Sequence, residues 1–282
     1  MAIRTHDCKP TLDDEQVLDF CRKGYLVLEA VVPGGVNERS CELMDRVARE
    51  GLPHETILEQ DWFVDGVLLN PAAAGAVRSL LGRNFRITMP FLHNHRTEEA
   101  NPQPQGWHRD GGSKHTPHEL DSLQVFYYPQ DVPGELGPTE ILPGSHLLYA
   151  ASQFMQHYRS FRGAVSTAAP AGSIFLTAYN VWHRRSASTA SGARNLLKYW
   201  YVRTCPPRRD WIVQPDFPLM HAYHPPDDWC DHREFHRARD DHAGMFFWLC
   251  GEYDRYLAER NNLPVYYLES DKPCSYCGGV VR

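Results

Sequence analysis

Between residues 84 and 204, short apolar runs alternate with turn sequences, and this alternation is the feature that most constrains the fold. Glycine, proline and serine separate the runs, whose sequences are FRITMPFLHNHR, SLQVFYYP, GPTEILPG, AGSIFLTAY and RNLLKYWYVR. Strands of this length and spacing are typical of an antiparallel sandwich or barrel, and they do not alternate with helices as βαβ units do. The middle part of the chain, from about residue 84 to 204, is therefore predicted to form a β core.

The segments on either side of this core have helical patterns. Residues 11–24, 37–51 and 70–82 predict three helices, and residues 25–32 predict a strand. Thr11 is placed to cap the first helix, with Asp14 three residues further on, and Gly24 ends it. Pro71 stands in the first turn of the third helix, where its fixed φ is favourable.

The region after the core is less regular. Residues 205–229 are rich in proline and predict irregular structure, whereas 234–262 predict a helical closing segment. No stretch has the composition of a linker. We therefore predict one domain over 1–282, with a helical part at 11–82, a β core at about 84–204 and a loop and helical region at 205–282. The expected class is mainly β with flanking helices, or α+β.

Charge and cysteine content exclude several classes of protein. With 29 basic and 35 acidic residues the net charge is −6 and no basic block occurs, so nucleic acid is not the expected partner. No apolar run reaches the roughly 18 residues of a membrane span, and the first residues lack the apolar segment of a secretory signal. The eight cysteines are read as free thiols in a reducing, cytoplasmic setting. Cys274 and Cys277 lack a second ligand pair nearby and predict a tail, not a zinc site.

The stretch GWHRDGG at 106–112 places His108 and Asp110 two positions apart. On an extended segment two such side chains point to the same side and can share a metal. The pattern alone is weak evidence, because about one His-x-Asp is expected by chance in a chain with 15 histidines. Taken alone, the pattern is better explained by a polar turn that contains a histidine.

A second polar group strengthens the metal interpretation. His183 ends an apolar strand and could supply the third ligand of a site with two histidines and one carboxylate, the set that suits iron(II) with open positions. Arg194 opens another apolar strand eleven residues later. A guanidinium directed into a barrel is costly unless it meets an anion, and its planar fork matches a carboxylate.

Three segments, GWHRDGG, GPTEILPGSH and VWHRRSASTASGARNLLKYWYVR, resemble the phytanoyl-CoA dioxygenase family of iron(II)/2-oxoglutarate oxygenases. The opening LDDEQVLDFCRKGYLVLEAVV is similar to the start of that family, and the resemblance runs with interruptions from about 11 to 204. It implies a double-stranded β-helix, or jelly roll, with a cupin-like core. It also implies iron(II) on His108, Asp110 and His183, with the cosubstrate 2-oxoglutarate held by Arg194.

The resemblance further implies the reaction. Dioxygen and 2-oxoglutarate would be consumed, succinate and carbon dioxide released, and an unactivated C–H bond of a small metabolite hydroxylated, as in natural product biosynthesis. Gln105 matches a position that contacts the cosubstrate in some members; a solvated loop residue is the alternative. Because Asp110 is present, halogenation is disfavoured. Desaturation, ring formation and epoxidation stay open, as does the oligomeric state.

Other polar and aromatic residues are assigned more loosely. His232, His236 and Asp240 would share one helix face, but a solvated face explains them better. His146, Arg184 and Arg185 are read as surface residues. The substrate-pocket candidates are Trp107, His93, His95, Phe126, Lys198 and Trp200. Two functional alternatives also remain open: a metal-dependent hydrolase or isomerase using the same triad, and a noncatalytic ligand-binding module.

Overall fold

The computed structural model of the chain describes residues 8–88, 91–97, 103–110, 117–148, 158–219, 222 and 242–259, with the backbone alone at 91–97. Within these residues the architecture is mixed α and β, with two antiparallel sheets and helices against one of them. The strands in chain order are β1 Tyr25–Leu28, β2 Arg86–Ile87, β3 Phe91–Thr97, β4 Ser122–Tyr128, β5 Thr139–Ile141, β6 Val165–Ser166, β7 Ser173–Ala178, β8 His183–Arg185 and β9 Gly192–Val202.

The larger sheet has six strands in the order β1-β7-β4-β9-β2, and β3 also pairs with β9. Its register places Phe126 of β4 between Phe175 of β7 and Lys198 of β9. The smaller sheet has the order β6-β5-β8 and places His183 of β8 opposite Ile141 of β5. All pairings within the two sheets are antiparallel, as the spacing of the apolar runs predicts.

Three long helices of the described residues precede the core: α1 Asp14–Lys23, α2 Gly34–Glu50 and α3 Pro71–Leu81. Three short helical segments lie between α2 and α3: a 3₁₀ turn His54–Glu59, an α-helical turn Asp61–Phe63 and a π-helical turn Val64–Leu68. The prediction that Thr11 caps α1 is wrong. Asp13 is the N-cap, and its carboxylate accepts from the Gln16 N–H while the Gln16 side chain accepts from the Asp13 N–H. This reciprocal pair satisfies two helix-end donors at once, which a lone hydroxyl at Thr11 cannot do. Gly24 ends α1 in the left-handed conformation with φ 76°, as predicted.

The larger sheet separates two apolar clusters. Side chains alternate along a strand, so β4 sends Leu123, Val125 and Tyr127 to the face covered by the helices. Phe126 and Tyr128 point the other way. With them, toward the smaller sheet, lie Val132, Phe175 and Leu196. The helices therefore complete a conventional core on one side, while the other side lines the space between the sheets.

The chain after β9 packs on the helical side. Residues 242–250 are helical (α4), and Tyr253–Glu259 form a further helix (α5). Asp14 is fully buried in α1 and accepts hydrogen bonds from Arg209, the Trp211 indole and the Gln214 N–H. This carboxylate fixes the proline-rich segment to the start of the chain.

Several sequence predictions concern residues outside the described part of the chain. His232, His236, Asp240, Cys274 and Cys277 all lie there. Among the helices that are described, none is long and apolar enough to cross a membrane.

Candidate metal centre

Two extended segments meet at His108 and His183. The His108 N–H donates to the His183 carbonyl at 3.0 Å, and the His183 N–H donates to the His108 carbonyl at 2.8 Å. We call this antiparallel pair the histidine bridge. It is an extension of the smaller sheet beyond β8, and it holds two side chains that are 75 positions apart in sequence with ring centroids 4.5 Å from each other.

Asp110 completes a cluster with the two histidines. One nitrogen or oxygen atom from each of the three side chains lies within 4.8 Å of the others. His108 Nε2 is 3.7 Å from Asp110 Oδ1, and His183 Nε2 is 3.7 Å from Asp110 Oδ2. The three predicted metal ligands therefore converge, although they come from a loop and from a separate strand.

The hydrogen bonds of the two imidazoles determine which nitrogen is free. His108 Nδ1 lies 3.0 Å from the Gly106 carbonyl, and His183 Nδ1 lies 3.1 Å from the Val181 carbonyl. A carbonyl can only accept, so each Nδ1 carries the proton and each Nε2 keeps a lone pair. His183 Nε2 is buried and has no hydrogen-bond partner among the described residues. An unpartnered buried nitrogen facing a carboxylate fits a divalent metal, as does the choice of donors.

The electrostatic environment favours a neutral His183 and an ionised Asp110. Burial and the nearby Lys198 lower the pKa of His183 to about 3, so this imidazole is neutral at physiological pH. Burial alone would raise the pKa of Asp110. Electrostatic interactions with His183 and Lys198, with hydrogen bonds from Lys198 and Gln124, outweigh burial and lower that pKa to about 2. His183 and Asp110 can therefore coordinate a metal without losing a proton first.

Lys198 and Gln124 both contact Asp110. The Lys198 ammonium is 2.6 Å from Asp110 Oδ2, and the Gln124 amide donates to the same oxygen. Lys198 also lies 5.4 Å from the Phe126 ring, which packs edge-on against His183 at 5.3 Å. The face of β4 that carries Gln124 and Phe126 therefore lines the site, a choice the sequence pattern alone leaves undecided.

Arg194 lies on the same strand face as Lys198, four residues before it in β9. Its guanidinium is buried and donates to the Gly137 carbonyl at 2.8 Å, while no group in the described part of the chain accepts a hydrogen bond from its Nε. The Tyr128 hydroxyl, hydrogen-bonded to Thr167 at 2.8 Å, contributes to the electrostatic environment of this arginine. A buried cation with unused donors on the inner face is suited to hold an anion.

The other predicted pocket residues have different surroundings. Gln105 is exposed, and its side-chain oxygen accepts from the Arg185 N–H at 3.3 Å. Trp107 is fully buried and packs under the Arg184 guanidinium. Trp200 packs edge-on against Tyr179 at 5.8 Å. In the register of β3 with β9, the backbone of His93 lies opposite Leu196 and that of His95 lies opposite Arg194. The structure describes the backbone of these two histidines and not their side chains.

Some buried polar residues were misjudged or overlooked. The surface assignments of His146 and Arg184 are wrong: both are buried, His146 with Nε2 at 3.0 Å from the Cys21 carbonyl. Arg184 pairs with Glu140 at 2.6 Å. Gln124 was not predicted as a site residue. The alternation of LQVFYYP put it on a face with Phe126, but only strand pairing identified that face as the inner one.

Comparison with known proteins agrees with the geometry. Residues 20–195 match the family model described as Phytanoyl-CoA dioxygenase (PhyH), which confirms the resemblance seen in the sequence. A search of curated proteins found no match. Among solved structures, HygX from Streptomyces hygroscopicus with nickel and 2-oxoglutarate is similar, at 16% identity and a TM-score of 0.55 over 69% of this chain and 88% of HygX. HygX has also been solved with hygromycin B bound.

Two proteins of nogalamycin biosynthesis share the fold as well. The epimerase SnoN, in complex with Fe³⁺, alpha ketoglutarate and nogalamycin RO, is 16% identical with a TM-score of 0.52, over 77% of this chain and 92% of SnoN. The carbocyclase SnoK is 18% identical with a TM-score of 0.53, over 69% of this chain and 87% of SnoK.

Proposed function

The chain belongs to the phytanoyl-CoA dioxygenase family, and from this premise we propose that it is an iron(II)/2-oxoglutarate-dependent oxygenase of a small-molecule metabolite. The observation that carries the proposal is the convergence of His108, Asp110 and His183, with His183 Nε2 buried and without a hydrogen-bond partner in the described part of the chain. Two imidazoles and one carboxylate on one side of a metal leave adjacent positions for exogenous ligands.

Each part of the site has a distinct task in this proposal. His108, Asp110 and His183 would hold iron(II), and Arg194 would bind the distal carboxylate of 2-oxoglutarate. When bound, iron and 2-oxoglutarate supply the oxidation of an unactivated C–H bond by dioxygen, with release of succinate and carbon dioxide. The chain itself positions the reactants and excludes water.

Water exclusion is supported by the apolar residues between the sheets. Phe126, Tyr128, Phe175 and Leu196 are buried together on the inner face of the larger sheet. Such a lining lowers the local dielectric and strengthens the pairing of Arg194 with an anion. We propose that the two sheets form the double-stranded β-helix expected from the sequence, with the site between them.

Hydroxylation is the outcome we propose for the bound substrate. The similar structures include an epimerase and a carbocyclase, so the fold itself supports more than one outcome. Gln105 is proposed to approach the cosubstrate, and Lys198, Phe126 and Trp200 to border the substrate. Trp107, His93 and His95 keep their predicted role as pocket residues, although packing accounts for the burial of Trp107.

The test is coupled turnover of purified protein loaded anaerobically with iron(II). A metabolite panel that includes hygromycin B and nogalamycin RO is supplied with 2-oxoglutarate and air, and succinate and product mass are measured. We expect substrate-dependent succinate and a product heavier by one oxygen atom. His183→Ala should abolish both, whereas His54→Ala, a histidine in a separate 3₁₀ turn, should not. Turnover without oxygen and 2-oxoglutarate would instead establish the hydrolase or isomerase alternative.

A further inference from the structure

The two oxygens of the Asp110 carboxylate have different surroundings. Oδ2 accepts from the Lys198 ammonium at 2.6 Å and from the Gln124 amide. Among the described residues, Oδ1 accepts no hydrogen bond, and His108 Nε2 lies 3.7 Å from it. A carboxylate in solution has two equivalent oxygens, so this difference is imposed by the protein.

The number of donors on Oδ2 matters for metal binding. Each carboxylate oxygen has two lone-pair sites, and two N–H donors occupy both sites of Oδ2. Oδ1 keeps its lone pairs 3.7 Å from His108 Nε2, whereas Oδ2, which lies 3.7 Å from His183 Nε2, already accepts from the two donors. A metal that approaches between the imidazoles therefore finds one available oxygen on this carboxylate.

The two donors come from adjacent, paired strands. Gln124 is opposite Trp200 in the register of β4 with β9, and Phe126 is opposite Lys198. Side chains two positions apart on neighbouring strands reach the same point above the sheet. Lys198 is largely buried, with 14% of its side chain exposed, so its contact with Asp110 also satisfies an ammonium that would be costly to leave unpaired.

We propose that Gln124 and Lys198 are positioning residues that reserve Asp110 Oδ2, so that the carboxylate binds the metal through Oδ1 alone. This rests on the proposed function, since it presupposes a metal on the triad. Binding through one oxygen keeps three positions open, which the cosubstrate and dioxygen require. Chelation by both oxygens would occupy one of them.

The experiment counts water on bound Mn²⁺, a probe independent of turnover. Water-proton relaxation is measured on the full chain loaded with Mn²⁺, which binds six ligands. About three waters are expected on the wild-type protein, from six positions less the three triad ligands. Lys198→Met and Gln124→Met each free one lone pair on Oδ2, so chelation should reduce the count to about two and the relaxation enhancement by about a third.

Two further variants distinguish a positioning role of Lys198 from an effect of its charge. Lys198→Arg keeps an N–H donor and should retain the wild-type water count. Lys23→Met removes an exposed ammonium that pairs with Asp19 on α1, and it should also leave the count unchanged. If Lys198 acts only through its charge, Lys198→Met would change the Mn²⁺ dissociation constant while both methionine variants keep three waters, and the proposal is then wrong.

The same titrations distinguish this proposal from the proposed function. Wild-type protein that binds no Mn²⁺, or Asp110→Ala protein that binds it as well as wild type, would remove the triad as the metal site and both proposals with it. Binding lost in Asp110→Ala, with unchanged water counts in Lys198→Met and Gln124→Met, would overturn the positioning role alone. If Gln124→Met fails to fold, Lys198→Met decides by the same criterion.

Discussion

Arg184 lies over the indole of Trp107, with its guanidinium carbon 4.6 Å from the ring centroid, directly behind the histidine bridge. Arg109 repeats the arrangement over Trp182 at 5.1 Å. In the register of the bridge these are the two flanking cross-strand pairs, and each combines an arginine of one segment with a tryptophan of the other. The two pairs therefore stabilise the alignment that brings the imidazoles of the proposed metal site together.

We predict a measurable coupling between Trp107 and Arg184. A double-mutant cycle of Trp107→Phe and Arg184→Met, followed by urea unfolding, should give a coupling of about 2 kcal/mol, because the pair is desolvated. Arg184→Met removes the ion pair with Glu140 whether position 107 carries Trp or Phe, so this loss cancels in the coupling energy. The matched control is the pair Arg39 and Trp62, at 4.8 Å on the surface of α2, for which about 0.5 kcal/mol is expected. Equal couplings at the two sites would contradict the argument.

Removal of the Arg194 guanidinium should affect the cosubstrate and leave the metal in place. Arg194→Met is expected to raise the 2-oxoglutarate concentration for half-maximal succinate formation about 100-fold, since a desolvated charge pair is lost. The affinity for Ni²⁺, measured by calorimetry, should stay at the wild-type value. Arg194→Lys should recover part of the affinity for 2-oxoglutarate. An unchanged 2-oxoglutarate dependence would remove Arg194 from this role.

His146 should make stability depend on pH. Burial lowers its pKa from 6.5 to about 4, so the unfolded state takes up a proton first as pH falls. The contribution of neutral His146 is complete above pH 6.5 and is lost progressively between 6.5 and 4. Over that interval the free energy of unfolding should fall by up to about 3 kcal/mol more in wild type than in His146→Gln. Urea titrations at several pH values test this; parallel curves for the two proteins would disprove it.

Substitutions of Gly24 and Gly51 distinguish the cost of backbone strain from the cost of a steric clash with a neighbouring side chain. Both end a helix with positive φ, 76° and 65° respectively. A Cβ on Gly24 would collide with the His146 ring, whereas a Cβ on Gly51 would meet nothing within 4 Å. Gly51→Ala should therefore cost about 1 kcal/mol of unfolding free energy and Gly24→Ala at least about 3 kcal/mol. Similar losses of thermal stability in the two variants would show that the His146 contact is unimportant.

Much of the local structure could be predicted from the sequence. The apolar runs became strands of two antiparallel sheets, and Gly24 ended α1 as its conformational freedom suggests. The prediction was wrong where two residues could each cap the same helix: Asp13, and not Thr11, caps α1. The resemblance to the phytanoyl-CoA dioxygenase family predicted His108, Asp110 and His183 as metal ligands, and the structure brings one ligand atom of each within 4.8 Å of the others.

The sequence by itself determined which segments extend or coil and which side chains can bind a metal, because periodicity, capping and donor chemistry are properties of neighbouring residues. Only the tertiary structure decided which oxygen of Asp110 is free, since Lys198 is 88 positions away and reaches it through the pairing of β4 with β9. The burial of His146 and Arg184 was decided in the same way. A polar side chain becomes an interior residue when distant segments bring it a partner, and a local pattern does not contain that partner.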